Sequence, residues 1–321
     1  MRVVMTGGGG FIGSHLLARM MGAGMDVTLI GSTIGRSRYT ASLVSGGLVR
    51  FLRCDDSFSE EDILRPALAD ADALVLLGYV RPSSLSPARR LGEELVQNLA
   101  PLVRLLRAAE GKTRQVIFAS SVSVYGSRAT APVRETDAPR PETPYAIAKL
   151  AGEESIDIVC AANGWTPCVL RYATVYGAGE TVPRAIPNFI RAALDGQPPV
   201  IAGDGRDEHD YIHVSDVVDG TMLAMRRRAS GVFNIGTGSG TSTLDLARVV
   251  ARLAGANIEP LFFQRTESVS EPVRVVCATD LARTSFSFSA SRSLADGITE
   301  EIGWFRSDSQ FGLKALLPAS A

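Results

Sequence analysis

The first fifteen residues restrict the fold of this chain more than any others. Three apolar residues, Val3-Val4-Met5, run into Thr6-Gly7-Gly8-Gly9-Gly10-Phe11-Ile12-Gly13. Beyond Gly13 the apolar positions Leu16, Leu17 and Met20 recur at helical spacing. A buried strand, a glycine turn and a helix therefore follow one another without a break. Gly7, Gly10 and Gly13 stand three apart. Gly7 suits the tight turn, Gly10 lets backbone approach a pyrophosphate, and Gly13 lets the helix pack closely on the strand. Phe11 and Ile12 open the helix, whose N-terminal N–H groups and partial positive charge favour phosphate. The stretch predicts a dinucleotide-binding loop, with Gly7, Gly10, Phe11, Ile12 and Gly13 at the cofactor.

The rest of the chain keeps this rhythm. Strands are expected at 26–30, 48–52, 73–77, 115–119 and 168–171, with helices at 60–69, 88–109 and 144–162. Short apolar strands alternating with helices predict an α/β fold, a Rossmann-type doubly wound parallel sheet with ligands at the carboxyl ends of its strands. Past about residue 177 the texture changes, with Pro183, Pro187, Pro198 and Pro199 breaking up shorter elements. Helices fit 186–195, 216–228, 243–254 and 294–305, and a strand fits 232–235. The expected division is a dinucleotide-binding domain over 1–176, rejoined by segments near 210–235, and a smaller C-terminal substrate-binding domain over most of 177–321.

Composition excludes several classes of partner. A net charge of -1 leaves no basic field for nucleic acid or an anionic membrane surface. No apolar run approaches the roughly 18 residues of a membrane span, and no secretory signal pattern opens the chain. The four cysteines lack short paired spacing and read as small buried apolar residues in a reducing, cytoplasmic setting. His209 and His213 have strand spacing but no third ligand nearby, so no metal site is expected.

The sharpest chemical signal is Tyr145-Ala-Ile-Ala-Lys149, near the start of a helix that Pro144 opens. Positions i and i+4 share a helix face, so a phenol and an ammonium point at one site. A tyrosine with a pKa near 10 exchanges protons poorly at neutral pH, and a neighbouring Lys⁺ is expected to lower that value. Ser121 lies just past a strand's carboxyl end, where a hydroxyl can bind the oxygen that Tyr145 protonates or deprotonates. Ser120 and Ser123 compete with it for this role.

Five segments in order now carry a family resemblance. They are Thr6-Gly-Gly-Gly-Gly-Phe-Ile-Gly13, Ser120-Ser-Val-Ser-Val-Tyr-Gly126, Tyr145-Ala-Ile-Ala-Lys149, Leu170-Arg-Tyr-Ala-Thr-Val-Tyr-Gly177 and Asp210-Tyr-Ile-His-Val-Ser-Asp216. Over roughly residues 1–250 the chain resembles the extended short-chain dehydrogenase/reductases of the sugar-nucleotide epimerase/dehydratase group. The resemblance implies Ser121, Tyr145 and Lys149 as a catalytic triad, with Lys149 also holding the nicotinamide ribose. It implies Asn98 near the cofactor and Asp55 at the adenine amine, with Asp56 as the alternative. Tyr172 and Thr174 fall where the family lines the site behind the nicotinamide. It also implies a homodimer built on the 88–109 and 144–162 helices, for which Leu99, Leu102, Leu106, Ile156 and Val159 are suited, as they are for an internal core.

Departures from the family pattern are equally informative. The acid expected near Gly31, which binds the adenosine ribose of NAD, is absent. Ser32, Arg36 and Arg38 stand there instead, so the cofactor is NAD or NADP. Val122 and Ser123 follow Ser121 where dehydratases and decarboxylases of the family carry acids. In Gly203-Asp-Gly-Arg-Asp-Glu-His209-Asp210, His209 replaces the arginine that clamps a nucleotide diphosphate, with Arg206 or Arg274 as candidate substitutes. Where the family has His-x-Ala-Ala after the fourth strand, this chain reads Leu76-Leu-Gly-Tyr79.

These features predict an NAD(P)-dependent enzyme acting on a sugar carbinol, most simply a nucleotide-sugar 4-epimerase. Its substrate-side residues would be Ser121, Ser123, Thr174, Arg206, His209 and Arg274. An NADPH-dependent ketoreductase of a keto sugar is the alternative, and a non-catalytic dinucleotide-binding protein a lesser one. Net consumption of nicotinamide separates the first two.

Overall fold

The computed structural model describes residues 1–55, 58–59, 61–83, 86–111, 114–127, 130–256, 258–263 and 272–307. In chain order the strands begin with β1 (Arg2–Thr6), β2 (Asp26–Gly31), β3 (Arg50–Arg53), β4 (Ala73–Leu76), β5 (Gln115–Ser121) and β6 (Thr166–Tyr172). They continue with β7 (Thr174–Tyr176), β8 (Val200–Ala202), β9 (Glu208–His213), β10 (Gly231–Ile235), β11 (Gly240–Ser242), β12 (Leu261–Phe263) and β13 (Arg274–Val275). Helices are α1 (Phe11–Gly22), α2 (Arg38–Ser45), α3 (Glu61–Ala69), α4 (Pro87–Glu94), α5 (Ala100–Ala108) and α6 (Pro144–Asn163). The last five are α7 (Ala185–Leu194), α8 (Val214–Arg226), α9 (Thr243–Ala254), α10 (Asp280–Phe286) and α11 (Leu294–Ser307).

Seven parallel strands in the order β10-β6-β5-β4-β1-β2-β3 form the frame. The direction of winding reverses between β1 and β4, and the crevice beyond their carboxyl ends is where such sheets take ligands. Side chains alternate across each strand, so β1 feeds two cores. Val3 and Met5 join Leu16, Leu17 and Met20 of α1 on one face. Val4 joins Leu64 and Leu68 of α3, Leu105 and Leu106 of α5, and Ile156 of α6 on the other. Both faces are covered, which is why β4 reads Ala-Leu-Val-Leu, buried throughout. Each fully buried leucine in these layers contributes about 1.5–3 kcal/mol. Leu106 and Ile156, suited by sequence to a dimer face or a core, belong to the core. All four cysteines are buried, and none of them forms a disulfide.

A third apolar cluster packs Ile186, Phe189 and Ile190 of α7 against Leu246 and Val250 of α9 and Ile298 and Ile302 of α11. Beside it β9 pairs with β7, β11 and β13, and β12 pairs with β8. The returning segment thus splits, since β10 adds to the main sheet next to β6 whereas β9 belongs to the second sheet. Most of the strands beyond β6 are only two or three residues long, too short to show a period-two pattern, and so went unread in the sequence. The expected helix 88–109 is present as α4 and α5 with a π-helical segment, Leu95–Leu99, between them. Among the described residues no helix is long and apolar enough to cross a membrane.

Candidate active site

The glycine turn after β1 forms one wall of a cavity of about 520 Å³. Gly7, Gly10, Phe11 and His15 line it, and its other walls come from the ends of β2, β4 and β5, the Leu95–Leu99 segment, and Ala178–Gly179. Two glycines are fixed by close approach. A Cβ on Gly13 would lie 2.0 Å from the Gly7 carbonyl oxygen, so nothing larger lets α1 start against the turn. A Cβ on Gly9 would lie 1.6 Å from the Ile34 carbonyl oxygen, because the 31–37 loop lies directly on it. The Gly9 carbonyl accepts from Arg36 N–H at 3.2 Å and Ser37 N–H at 3.3 Å, and Thr40 Oγ1 donates to Gly8 O at 2.9 Å. The turn and the loop after β2 are therefore one unit. Gly10 is less crowded: a Cβ there would meet only the Gly7 carbonyl oxygen within 4 Å, at 3.3 Å, and the residue faces the cavity.

Other residues singled out by sequence divide between lining and support. Ser32 and Arg36 line the cavity, as does Arg38. Asn98 lines it too and binds Val80 twice, accepting from its N–H at 2.8 Å and donating to its carbonyl at 2.9 Å. Ile12 turns into the core instead. Asp55 is engaged with Ser59, accepting from its N–H at 3.1 Å and its hydroxyl at 2.6 Å, and Asp56 lies outside the described residues. Tyr172 does not reach the cavity. Its phenol is buried against α8, 2.8 Å from Thr221 Oγ1.

At the far end of the cavity stand Phe118, Ala148 and Lys149. Thr143 caps α6 by accepting from Ala146 N–H at 3.2 Å, and Pro144 fits the first turn. Tyr145 and Lys149 then share one face. The Ser121 hydroxyl lies beside the Tyr145 phenol and stabilises its charged form, and the Ser121 oxygen also accepts from Ser123 N–H at 3.2 Å. Strand alternation resolves the choice among the serines. Ser120 points to the opposite face and donates to Glu153, which is locked in a buried pair with Arg171 at 2.6 Å. Ser123 acts through its backbone, while its hydroxyl is buried.

The electrostatics differ from the sequence expectation. Lys149 is buried, and burial lowers its pKa to about 8 against the upward pull of Glu94 and Glu153. Its ammonium donates to the Ala119 carbonyl at 2.7 Å and sits 5.8 Å from the centre of the Tyr145 ring. Burial pushes the Tyr145 phenol above the ordinary tyrosine value; the Ser121 bond and Arg184 pull it down, and Glu94 pushes it up. The predicted lowering by Lys149 is absent because the ammonium is turned to Ala119 and desolvation dominates.

A second cavity of about 240 Å³ is lined by Thr174, Glu180, Arg184, His209 and Tyr211 among others. Thr174 and His209 thus share a site. Arg206 is exposed and held by its neighbour Asp204 at 2.6 Å, and Arg274 pairs with Glu208 at 2.5 Å. Neither lines this cavity. Among the described residues the arginine that does is Arg184, at the N-cap of α7 and 2.7 Å from Glu180. Sequence reasoning passed over it because Pro183-Arg184 matches no motif. Tyr79 and Glu94 were missed as well: the Tyr79 hydroxyl donates to Glu94 at 2.7 Å, and its ring meets that of Tyr145 edge-on at 5.2 Å. A glutamate four residues before Asn98 was the available signal.

A doubly wound sheet, a glycine turn under a dinucleotide-sized cavity, a lysine on the wall of that cavity, and a serine and a tyrosine next to that lysine define an enzyme of the extended short-chain dehydrogenase/reductase type. A model of the NAD dependent epimerase/dehydratase family matches residues 3–236, and the chain belongs to that family. It is 31% identical over 332 residues to a UDP-glucose 4-epimerase of Azospirillum brasilense, spanning 95% of this chain and 92% of that one. Among solved structures it is similar to the UDP-glucose 4-epimerase of Thermotoga maritima with UDP-glucose, with TM-score 0.81 and 26% identity. It is also similar to the UDP-glucuronic acid 4-epimerase of Bacillus cereus in complex with UDP-glucuronic acid and NAD, with TM-score 0.83 and 28% identity. Each of these two alignments covers 96% of this chain and 99% of the other.

Proposed function

We propose that this enzyme is a nucleotide-sugar 4-epimerase. The observation that carries the reading is the Ser121–Tyr145 hydroxyl pair beside Lys149, which itself lines the glycine-turn cavity, with no carboxylate at Val122 or Ser123. A nicotinamide dinucleotide held by the Gly7–Gly13 turn and reaching Lys149 would supply reversible hydride transfer at the sugar carbon. The protein's own residues do the rest. Tyr145 removes the proton of the sugar hydroxyl and later gives it back, Ser121 donates a hydrogen bond to the same oxygen, and Lys149 supplies positive charge beneath both. Hydride transfer to the opposite face would invert the carbon without net redox change. An elimination would need a free acid or base, and the nearest buried carboxylate, Glu94, is already engaged by Tyr79 and Asn98.

On this reading residues 1–176, with α8 and β10, hold the cofactor, and most of 177–321 covers the sugar nucleotide. Gly7, Gly10 and the α1 N-terminus cradle the pyrophosphate, and Arg184 with Thr174 and His209 receives the substrate's anionic half. Both NAD and NADP suit the site: similar structures hold NAD, while Ser32, Arg36 and Arg38 without a carboxylate tolerate a 2′-phosphate. The substrate is a sugar linked to a nucleotide. The assembly is a homodimer, supported by Leu95, Val96, Val103, Ile147 and Ile158, exposed on the Leu95–Leu99 segment, α5 and α6.

The test is a panel of UDP-, GDP- and dTDP-sugars analysed by product chromatography, with nicotinamide absorbance followed in parallel. Interconversion of C4 epimers at constant absorbance is expected. Stoichiometric loss of NADPH would make the enzyme a ketoreductase instead.

A further inference from the structure

Glu94 ends α4 and is fully buried. One carboxylate oxygen accepts from the Tyr79 hydroxyl at 2.7 Å, the other from the Asn98 amide at 2.9 Å. With Asn98 also bound to the Val80 backbone, the chain beyond β4 is fastened at two successive residues. The Tyr79 ring so held stands edge-on to Tyr145, at an interplanar angle of 84°, and its centre lies 5.5 Å from Lys149 Nζ. A tie between a loop and a helix needs no charge. Apolar residues of similar volume usually serve as well, because burying a carboxylate costs several kcal/mol. A charge retained in this position, beside a tyrosine and a lysine, points to a use for it.

We infer that Glu94 is a positioning residue for the Tyr145–Lys149 pair: through Tyr79 it fixes the wall against which Tyr145 stands, and it sets a buried carboxylate near the Lys149 ammonium. This rests on the reading of Tyr145 and Lys149 as the proton-handling pair. The other groups facing that pair are accounted for. Glu153 of α6 also supports the ammonium but is bound to Arg171 of β6. Arg184 and Ser121 act on the Tyr145 phenol, and Arg90 of α4 acts on Tyr79. Of the two anions that hold up the Lys149 pKa against burial, Glu94 has the larger effect, and it also pushes the Tyr145 phenol up. Removing its charge therefore lowers both.

The chain has three lysines, Lys112, Lys149 and Lys314, so ε-carbon-labelled lysine gives an NMR titration in which Lys149 is the signal lost in Lys149→Arg. In Glu94→Gln the Lys149 midpoint is expected about one pH unit below that of wild type, and the alkaline limb of turnover should move with it. Should the glutamine variant fail to fold, Glu94→Asp gives a shift of the same sign and smaller size. Tyr79→Phe keeps both ring and charge, so Lys149 should titrate as in wild type while kcat falls several-fold at unchanged KM. An unmoved Lys149 midpoint in the folded Glu94 variant overturns the electrostatic role, and an unchanged kcat in Tyr79→Phe overturns the role through Tyr79. A wild-type protein inactive on every nucleotide sugar would remove the epimerase reading alone, since the NMR titration needs no turnover.

Discussion

In the proposed reaction Tyr145 acts through a single oxygen, and its removal is the most direct test of the site. Tyr145→Phe keeps the ring against Tyr79 and leaves the cofactor cavity intact, so dinucleotide binding should persist by calorimetry. Turnover should fall about 10²–10⁴-fold, the range for loss of a positioned acid–base group. The proposed reading puts Arg184, which lines the second cavity, on the substrate side. Arg184→Ala should raise the sugar-nucleotide KM about 10- to 100-fold, as expected for lost charge-assisted bonds, with kcat less affected. Initial-rate kinetics on the same substrate check both. At this scale the sequence revealed what lies within one helix or strand: Tyr145 with Lys149 by spacing, and Ser121 by its place at a strand end. It did not reveal Arg184, Tyr79 or Glu94, because what each of them faces in the site, beyond a partner four residues away for Arg184 and Glu94, comes from segments that only folding brings together. Tyr172 and the two expected arginine substitutes show the converse. Their positions matched a pattern, but each side chain found a nearer partner in Thr221, Asp204 or Glu208.

Elements that repeat the strand–helix unit were legible because burial on both faces writes a continuous apolar run into each strand. The second sheet was not, since strands such as β7, β8 and β11 have three residues apiece and draw their stability from neighbours remote in sequence. The helical pair was legible as helices but ambiguous as a surface. Leu106 and Ile156 face inward, while Val96 and Ile158, 68% and 69% exposed, face out. If these form the subunit interface, Ile158→Glu should convert a dimer to a monomer, as measured by light scattering, without lowering the melting temperature of the monomer itself. Persistence of the dimer would place the interface elsewhere.

Across the whole molecule, one buried pair ties stability to pH. Glu301 of α11 is fully buried near Glu180, and burial followed by the charge of Glu180 raises its pKa from 4.5 to about 9. Glu180, buried and paired with Arg184, is raised from 4.5 to about 7. At this pair the folded protein thus holds protons that the unfolded chain releases above about pH 4.5, so the pair's own contribution to stability is greatest at the acid end of this window and declines as pH rises through 7 toward 9. Glu301→Gln, which mimics the protonated acid, should therefore stabilise by about 1–3 kcal/mol at pH 8 and by little at pH 4.5. Chemical denaturation at the two pH values measures the difference, and an equal gain at both would rule out the linkage.

The π-helical segment Leu95–Leu99 adds a residue to one turn between α4 and α5. Removing any one of its five residues would yield an uninterrupted α-helix, a locally better structure, yet would rotate the two flanking halves about 100° relative to each other. Glu94 and Asn98 would then no longer reach the same stretch after β4. A shorter, more regular helix is thus predicted to empty the dinucleotide cavity while circular dichroism shows no loss of helix, an outcome no single substitution in that segment should reproduce.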